Sequence, residues 1–188
     1  LAADNGDPAA MVDIAYMYEV RHDFKMARIY YAKSSDLGSA LAMNNLGRFY
    51  YLGRTGIEKD YNKSFPLFIK SAELGYSGGM RYAGESYYYG SGVEQNYDLA
   101  FHWLSQAVEK GEKKALILLG YMYKHGYGVE KSLDKAFELM LTAAKLDIDD
   151  AMWRVAKFYE EGTGCETNIT EAFFWYKKSA GNGHYMAK

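Results

Sequence analysis

Small and hydrophobic residues recur along this chain at a nearly constant spacing. The clearest copy of the pattern is the segment 115–129, which reads ALILLGYMYKHGYGV. Its central small residue, Gly120, has counterparts 36 positions away on each side, at Gly84 and Ala156. A fixed period of this length is typical of repeat architectures and not of an ordinary globular domain.

A tyrosine follows each of these small residues by three positions. In chain order the small residues are Ala15, Gly47, Gly84, Gly120 and Ala156, and the tyrosines are Tyr18, Tyr50, Tyr87, Tyr123 and Tyr159. Apolar residues accompany them at i, i+3 and i+4, which is the period of an amphipathic helix. The first half of each repeat is therefore predicted to be a helix.

The second half of each repeat carries its own small residue, followed by bulky residues three and four positions later. The small residues are Ala27, Ser64, Ala100, Ala136 and Ala172; the residues four positions later are Tyr31, Phe68, Leu104, Met140 and Tyr176. This spacing predicts a second helix. Because a hairpin of two such helices cannot bury its apolar face alone, neighbouring hairpins must stack. The predicted fold is all-α, with about five helix-turn-helix repeats.

The repeats are predicted to form a single array over residues 1–188. Their expected bounds are 7–38, 39–75, 76–111, 112–147 and 148–183, closing at Gly38, Gly75, Gly111, Asp147 and Gly183. Residues 2–6 read like the end of a second helix and residues 183–188 like the start of a further repeat. We interpret the sequence as part of a longer protein.

Where the sequence departs from the regular period, we expect local changes in the loops and helix ends. Repeat one has a shortened joint between its helices, and repeat two has one extra residue in the segment 53–56. Proline disfavours a helix interior, so we expect the second helix of repeat two to start late, with Ser64 near its N-cap, or to kink at Pro66. The residues predicted to cap the later second helices are Asp60, Asn96, Ser132 and Asn168, the last with Glu171 in a capping box.

These columns resemble the Sel-one-like repeat family, relatives of the tetratricopeptide repeats. The matching pattern is L-G-x-x-Y-x-x-G-x-G-V followed by A-x-x-W-x-x-x-A in repeat three, where Ala83 stands for the leucine. The resemblance covers essentially the whole chain. It implies a right-handed α-solenoid that serves as an adaptor or scaffold for other proteins, and it specifies no partner.

Composition narrows the classes of partner. The 22 Lys and Arg residues nearly balance the 24 Asp and Glu residues, for a net charge of −2. This balance argues against nucleic acid or an anionic membrane surface as partner. A single cysteine cannot form an intramolecular disulfide, and no apolar run approaches the roughly 20 residues that span a bilayer. Neither the compartment nor the oligomeric state is indicated.

Catalytic and cofactor motifs have structural explanations here. Ser132 and Lys135 form an S-x-x-K string, the nucleophile and base of penicillin-binding enzymes, but Ser132 falls in the capping column and no companion motif accompanies it. The G-x-G joints lack the strand and the G-K-[ST] of a phosphate-binding loop. The histidines occupy unrelated columns, and Cys165 lies in a core column. We predict no catalytic residue, metal or cofactor.

The candidate binding surface is a stripe on the first helices beside the packing columns. In repeat two the stripe runs through positions 41, 44, 48 and 51, which share one helix face. First helices line the concave side of related solenoids, so the resemblance implies that the stripe faces a groove. The predicted groove residues are Asn44, Arg48, Tyr51, Arg81, Glu85, Tyr88, Ile117, Tyr121, Lys124, Trp153 and Lys157. We call this set the first-helix stripe.

The stripe predicts non-catalytic binding of a protein or an extended peptide. In the middle repeats the cations Arg48, Arg81, Lys114 and Lys124 outnumber the one carboxylate, Glu85. This excess predicts a partner with acidic groups or a free carboxylate. Two alternatives stay open: a hydrolase acting on β-lactam or cell-wall-like substrates, and a purely structural spacer.

Overall fold

A computed structural model of the chain describes residues 6–53 and 56–181. All regular elements within these residues are α-helices, and each repeat supplies two of them. They are α1 (Pro8–Val20), α2 (Phe24–Asp36), α3 (Ala40–Leu52), α4 (Tyr61–Glu73), α5 (Ser77–Tyr89), α6 (Tyr97–Glu109), α7 (Ala115–His125), α8 (Leu133–Lys145), α9 (Asp149–Glu161) and α10 (Ile169–Gly181). The all-α prediction is confirmed.

The helices group into two compact halves. The N-terminal half runs to Asn96 and contains α1 to α5, and the C-terminal half begins at Tyr97 and contains α6 to α10. Within each half, every helix packs against the next one in sequence. Each half therefore has the stacked-hairpin organisation that the repeat pattern predicts. The single array over residues 1–188 stays a prediction.

The small column of the first helices is explained by close packing within a hairpin. A Cβ atom added at Gly47 would lie 2.6 Å from Cε1 of Phe68, in the second helix of the same repeat. One added at Gly120 would lie 3.1 Å from Cε of Met140. The bulky column of each second helix thus occupies the space that the small residue leaves open, as expected for a close-packed core.

One backbone hydrogen bond recurs at every joint between the two helices of a repeat. The N–H of the residue before the second helix donates to the carbonyl oxygen of the column tyrosine, at 2.8–2.9 Å. The pairs are Asp23 to Tyr18, Asp60 to Tyr50, Asn96 to Tyr87, Ser132 to Tyr123, and Asn168 to Tyr159. This bond closes the turn whatever the loop between the two residues.

The second glycine of each G-x-G joint packs against the preceding repeat. A Cβ atom at Gly92, Gly128 or Gly164 would lie only 2.1–2.2 Å from a backbone carbonyl oxygen at the start of the preceding second helix. Side chains cannot be accommodated at that distance. These glycines also have φ between +65° and +76°, which residues with a Cβ rarely adopt.

The expectation for Pro66 is wrong in one respect. Helix α4 does not start late: it begins at Tyr61, and Asp60 is its N-cap, accepting a hydrogen bond from the backbone N–H of Lys63 at 3.0 Å. Ser64 is fully buried, and its hydroxyl donates to the Tyr61 carbonyl at 3.0 Å, so it is a small core residue inside the helix. The cap at Asp60 starts the helix five residues before the proline ring can interfere.

Two other caps are confirmed and one detail is corrected. The Ser132 hydroxyl accepts from the backbone N–H of Lys135 at 3.3 Å, and Oδ1 of Asn168 accepts from the backbone N–H of Glu171 at 3.1 Å. In a capping box the Glu171 side chain would accept a hydrogen bond from the backbone N–H of Asn168. Here that N–H donates to the carbonyl oxygen of Tyr159 instead.

Each described closing position has a positive φ. The values are 89° at Gly38, 85° at Gly75, 82° at Gly111 and 58° at Asp147. Asp147 therefore holds a left-handed conformation that glycine adopts at lower cost. The closing residue Gly183, the loop residues 54–55 and the interpretations of residues 2–5 and 183–188 lie outside the described residues.

Candidate functional site

The tyrosine column has the packing role that the spacing predicts. Three of its five rings stand edge-on against phenylalanines of the preceding second helix, at centroid distances of 5.1–5.5 Å and interplanar angles of 80–84°. The pairs are Phe65 with Tyr87, Phe101 with Tyr123, and Phe137 with Tyr159. Edge-to-face geometry of this kind is favourable for aromatic pairs. These tyrosines therefore join neighbouring repeats.

The first stripe residue of the N-terminal half, Asn44, is buried and so is not available for contact with a partner. Asn44 is only 4% exposed, and its Nδ2 donates to Oδ1 of Asn45 at 3.2 Å. Nη1 of Arg48 donates to the same oxygen at 3.3 Å. Arg48 is half-buried, so the guanidinium and not the Asn44 amide is the group here that a partner can reach.

Three further stripe residues of this half, Tyr51, Arg81 and Glu85, belong to an aromatic cluster with an internal ion pair. The ring of Tyr51 packs against Phe68 and Tyr82, with centroids 5.8 Å and 5.6 Å away. Burial, followed by the nearby charge of Glu85, raises the pKa of Tyr51 to about 12. Arg81 stacks over Tyr82, with 3.8 Å from Cζ to the ring centroid, and forms a salt bridge with Glu85. The charge of Arg81 is thus compensated within the protein.

Tyr88 and Ile117 are both half-buried, and each packs against neighbouring side chains of its own half. Tyr88 is half-buried, its ring packs against that of Tyr89 at 4.9 Å, and its carbonyl accepts from Nε2 of Gln95 at 2.7 Å. Ile117 is half-buried against the core of the C-terminal half. Lys114, also considered as a cation of this surface, is exposed at the start of α7.

Four stripe residues of the C-terminal half line one pocket. Tyr121, Lys124, Trp153 and Lys157 surround a cavity of about 200 Å³ between α7, α8 and α9. The other lining residues are Met140, Arg154, Phe158 and Glu161. All four stripe residues are half-buried, which is the state expected of side chains that line an accessible pocket.

Two lysines of the pocket lining lie over aromatic rings of the same lining. Nζ of Lys124 lies 5.0 Å from the ring centroid of Phe158, and among the described residues Lys124 forms no salt bridge. Nζ of Lys157 lies 5.6 Å from the Trp153 ring and 3.3 Å from Oε1 of Glu161. Cations over aromatic faces are attracted by the ring quadrupole, so these contacts help to position both lysines in the lining.

Arg154 supplies the third cation. Its Nε and Nη2 donate to the two carboxylate oxygens of Asp150 at 3.0 Å and 3.1 Å, and its Cζ lies 4.7 Å from the ring centroid of Tyr121. This bidentate pair fixes the guanidinium plane against the tyrosine. The pocket lining therefore combines aromatic and apolar surface with three cations, two of which are paired with carboxylates.

Half of the lining residues belong to the predicted stripe and half do not. Met140 is assigned from its column to the core, and Arg154, Phe158 and Glu161 fall outside the stripe. A signal was available in the period: Met140 and Arg154 stand where the N-terminal half has Phe68 and Tyr82. Loss of two rings at neighbouring positions predicts a cavity.

The residues that suggested enzymatic chemistry have structural positions. Ser132 caps α8, and Nζ of Lys135 lies 5.2 Å from the ring centroid of Tyr123. Cys165 is half-buried; its thiol donates to the Phe158 carbonyl at 3.4 Å, and burial raises its pKa.

The described part of the chain contains neither a cluster of metal-ligating side chains nor a helix suited to span a membrane. Within residues 6–53 and 56–181, no three His, Cys, Asp or Glu side chains lie close enough together to hold a metal ion. None of the helices described here combines the length and apolar character that crossing a membrane requires.

Solved structures similar to this chain confirm the repeat fold. A Sel1 repeat protein from Oxalobacter formigenes is 30% identical with a TM-score of 0.89, over 97% of this chain and 74% of that one. A protective antigen of uropathogenic Escherichia coli with an SLR fold is 29% identical with a TM-score of 0.86, over 99% of this chain and 40% of that one.

A plant protein shares a shorter segment. The ERAD-associated E3 ubiquitin-protein ligase component HRD3A of Arabidopsis thaliana is 38% identical over 55 residues, which are 29% of this chain and 8% of that protein. This chain thus spans only a small part of that relative and less than half of the Escherichia coli antigen.

The family model described as Sel1 repeat matches five consecutive segments. They are residues 8–39, 40–76, 77–112, 113–148 and 149–184. Because these matches cover nearly the whole sequence, the chain belongs to the Sel1 repeat family, whose members generally act as scaffolds for protein–protein interaction and are typically not catalytic.

Proposed function

We propose that this chain is a non-catalytic scaffold that binds a peptide or protein partner on the first-helix stripe. The observation that supports this most directly is the pocket in the C-terminal half, because four predicted stripe residues line it together. Half-buried Trp, Tyr and Arg side chains are the types that contribute most to binding energy at interfaces. Here Tyr121, Trp153 and Arg154 combine those types in one place.

The preferred partner has an acidic segment. Of the three cations in the pocket lining, Arg154 is paired with Asp150 and Lys157 with Glu161. Lys124 has no salt bridge to a described residue, so its charge is the one in the lining that a partner's carboxylate can neutralise. In the N-terminal half the stripe cation Arg81 is already paired with a carboxylate. Charge complementarity steers association and selects among partners, so the acidic segment is expected to dock on the C-terminal half.

Display of random peptides on phage, with selection against the full chain, tests this function. We expect enriched acidic sequences whose affinity falls about tenfold or more in Trp153→Ala, since an interface hot spot contributes about 2 kcal/mol or more. Phe173→Ala is the matched control, because it removes an aromatic ring that is 68% exposed on the second helix α10. Circular dichroism melts of both variants establish that they fold.

The outcome that contradicts the proposal is equally specific. If selection enriches no peptide, or if Phe173→Ala weakens the selected peptides while Trp153→Ala does not, the first-helix stripe is not the docking surface. Absence of any enriched peptide would favour the spacer alternative. A lysate pull-down with the same two variants then distinguishes a folded-protein partner from no partner.

A further inference from the structure

The pocket of the C-terminal half occupies a position that recurs in the N-terminal half, where aromatic rings fill it. The repeat register pairs Lys124 with Tyr51, Met140 with Phe68, and Arg154 with Tyr82. The three rings of the N-terminal half form a closed cluster, with centroid distances of 5.8 Å, 5.6 Å and 4.6 Å between them. The same position of the repeat fold is thus filled by aromatic rings in the N-terminal half and is open as a pocket in the C-terminal half.

Unbranched side chains replace these three rings in the C-terminal half. Lys124, Met140 and Arg154 leave the cavity of about 200 Å³, and Phe158, which stands where the N-terminal half has Ser86, forms one wall of it. Sites that enclose a whole small molecule measure roughly 300–1,000 Å³. The cavity is therefore too small for a whole small molecule and has the size of one amino-acid side chain, such as the ring that the N-terminal half places at this position.

The pocket lining presents two kinds of group to a ligand, aromatic surface and cations. Trp153, Phe158 and Tyr121 offer apolar surface, and burying an apolar group there is favourable. In the same lining, Lys124 is a cation without a salt bridge to any described residue, and Lys157 is a second cation, paired with Glu161. A ligand matched to both carries an apolar side chain and a carboxylate a few atoms apart.

Only the last residue of a polypeptide carries both groups on one Cα atom. An internal Asp or Glu has its carboxylate in place of the apolar side chain and needs a second residue to fill the cavity. We infer that this pocket binds the C-terminal residue of a partner polypeptide, with an apolar side chain inside and the α-carboxylate beside Lys124. The inference rests on the proposed scaffold function and names the part of the partner that is recognised.

The test uses the full chain and two small probes, N-acetyl-L-leucine and N-acetyl-L-leucinamide. The two differ only in the carboxylate. We expect NMR titration to show the acid binding at least tenfold more tightly than the amide, with shifts of the indole N–H of Trp153. Assignment of that signal comes from the Trp153→Phe variant.

Three substitutions separate the contributions of charge and space. Lys124→Met keeps an unbranched apolar stem and removes the charge, so the affinity for the acid is expected to fall to that for the amide. Lys124→Tyr introduces the residue of the N-terminal half and is expected to abolish binding of both probes by filling the cavity. Lys113→Met is the control, since it removes an exposed lysine of the same half outside the pocket.

The results distinguish this inference from the proposed function. Equal affinity for acid and amide, or no change in Lys124→Met, overturns C-terminal recognition. If phage display still yields peptides that bind the stripe through internal acidic residues, the scaffold function stands without it. If neither the small probes nor displayed peptides bind, both proposals fail.

Discussion

The ring of Tyr159 stands edge-on against the ring of Phe137 in the preceding repeat, with 5.1 Å between centroids and 80° between planes. The same pairing occurs at Phe101 with Tyr123. Each contact joins a second helix to the first helix of the next repeat, so it contributes to stacking and not to the hairpin itself. Stability of an array depends on such nearest-neighbour interfaces.

Removing this interface should destabilise the protein. We expect Phe137→Ala to lower the free energy of unfolding by about 2–4 kcal/mol, because it deletes a partly buried ring together with its aromatic contacts. Phe173→Ala changes the same column one repeat later, where the ring is largely exposed, and should cost less than about 0.5 kcal/mol. Urea unfolding followed by circular dichroism measures both; equal losses would contradict the assigned role.

The two glycines of one joint should respond differently to alanine. Both have positive φ, 75° at Gly126 and 65° at Gly128, so each alanine variant adopts a conformation that costs about 1–3 kcal/mol. At Gly126 the nearest atom is a lysine side-chain carbon 3.3 Å away, whereas at Gly128 the new Cβ would lie 2.2 Å from the Tyr97 carbonyl oxygen. Gly128→Ala should therefore lose about 1–3 kcal/mol more.

Thermal and urea unfolding of the two alanine variants provide the comparison. A Gly126→Ala variant as unstable as Gly128→Ala would show that φ alone, and not the contact with the preceding helix, explains the glycine.

The closing position of repeat four should be improvable. Asp147 has φ 58° where three other described closing positions have glycine. Asp147→Gly should raise the free energy of unfolding by about 0.5–1 kcal/mol, since the partly exposed salt bridge with Lys178 that it removes has little effect. The reciprocal change, Gly111→Asp, should lower stability by a similar amount, because that glycine has φ 82°. Differential scanning calorimetry detects both; two shifts of the same sign would refute the argument.

Alkaline pH should weaken the N-terminal half through Tyr51. Burial, and then the charge of Glu85, raises its pKa to about 12 in the folded state, against about 10 in an unfolded chain. The unfolded state therefore loses its phenolic proton first as pH rises, and the stability that the neutral tyrosine contributes is present below pH 10 and falls between pH 10 and 12.

Urea unfolding of the wild-type chain and of Tyr51→Phe across pH 9–12 isolates this effect. Phenylalanine has no titrating hydroxyl, so the variant should lose less stability over that interval. Parallel curves for the two proteins would show that Tyr51 does not titrate differently on folding. Tyr18→Phe, a column tyrosine of the same half, is the control.

The helices and their ends were predictable because they depend on local spacing. The columns around Gly47 and Gly120 place small residues where the second helix packs, and Ser132 lies in a capping column because α8 begins one residue later. The start of α4 was not predictable from Pro66 alone, because the cap at Asp60 determines it. Local rules succeed when one local signal acts and fail when two compete.

The pocket was less predictable than the helices because it depends on space that several side chains together leave unfilled. Spacing identifies Lys124 and Trp153 as neighbours on a surface, but a cavity forms only where several side chains together leave space. Met140 satisfies the apolar requirement of its column as well as Phe68 does, and only its shape differs. Asn44 shows the opposite case, since its position on the stripe does not reveal that it is buried.

The hydrogen bond between the cap N–H and the column tyrosine carbonyl has a consequence for the loops. It joins residues five positions apart at Tyr18 and Asp23, ten apart at Tyr50 and Asp60, and nine apart in the three later repeats, with nearly the same length throughout. Because both partners are main-chain atoms, the bond itself requires no particular side chain in the loop. In the three later repeats the loop is constrained only where its second glycine contacts the preceding helix. Away from that glycine, these loops are accordingly the places where evolution, or an engineer adding an epitope tag, can lengthen the polypeptide with the least disturbance to the helices on either side.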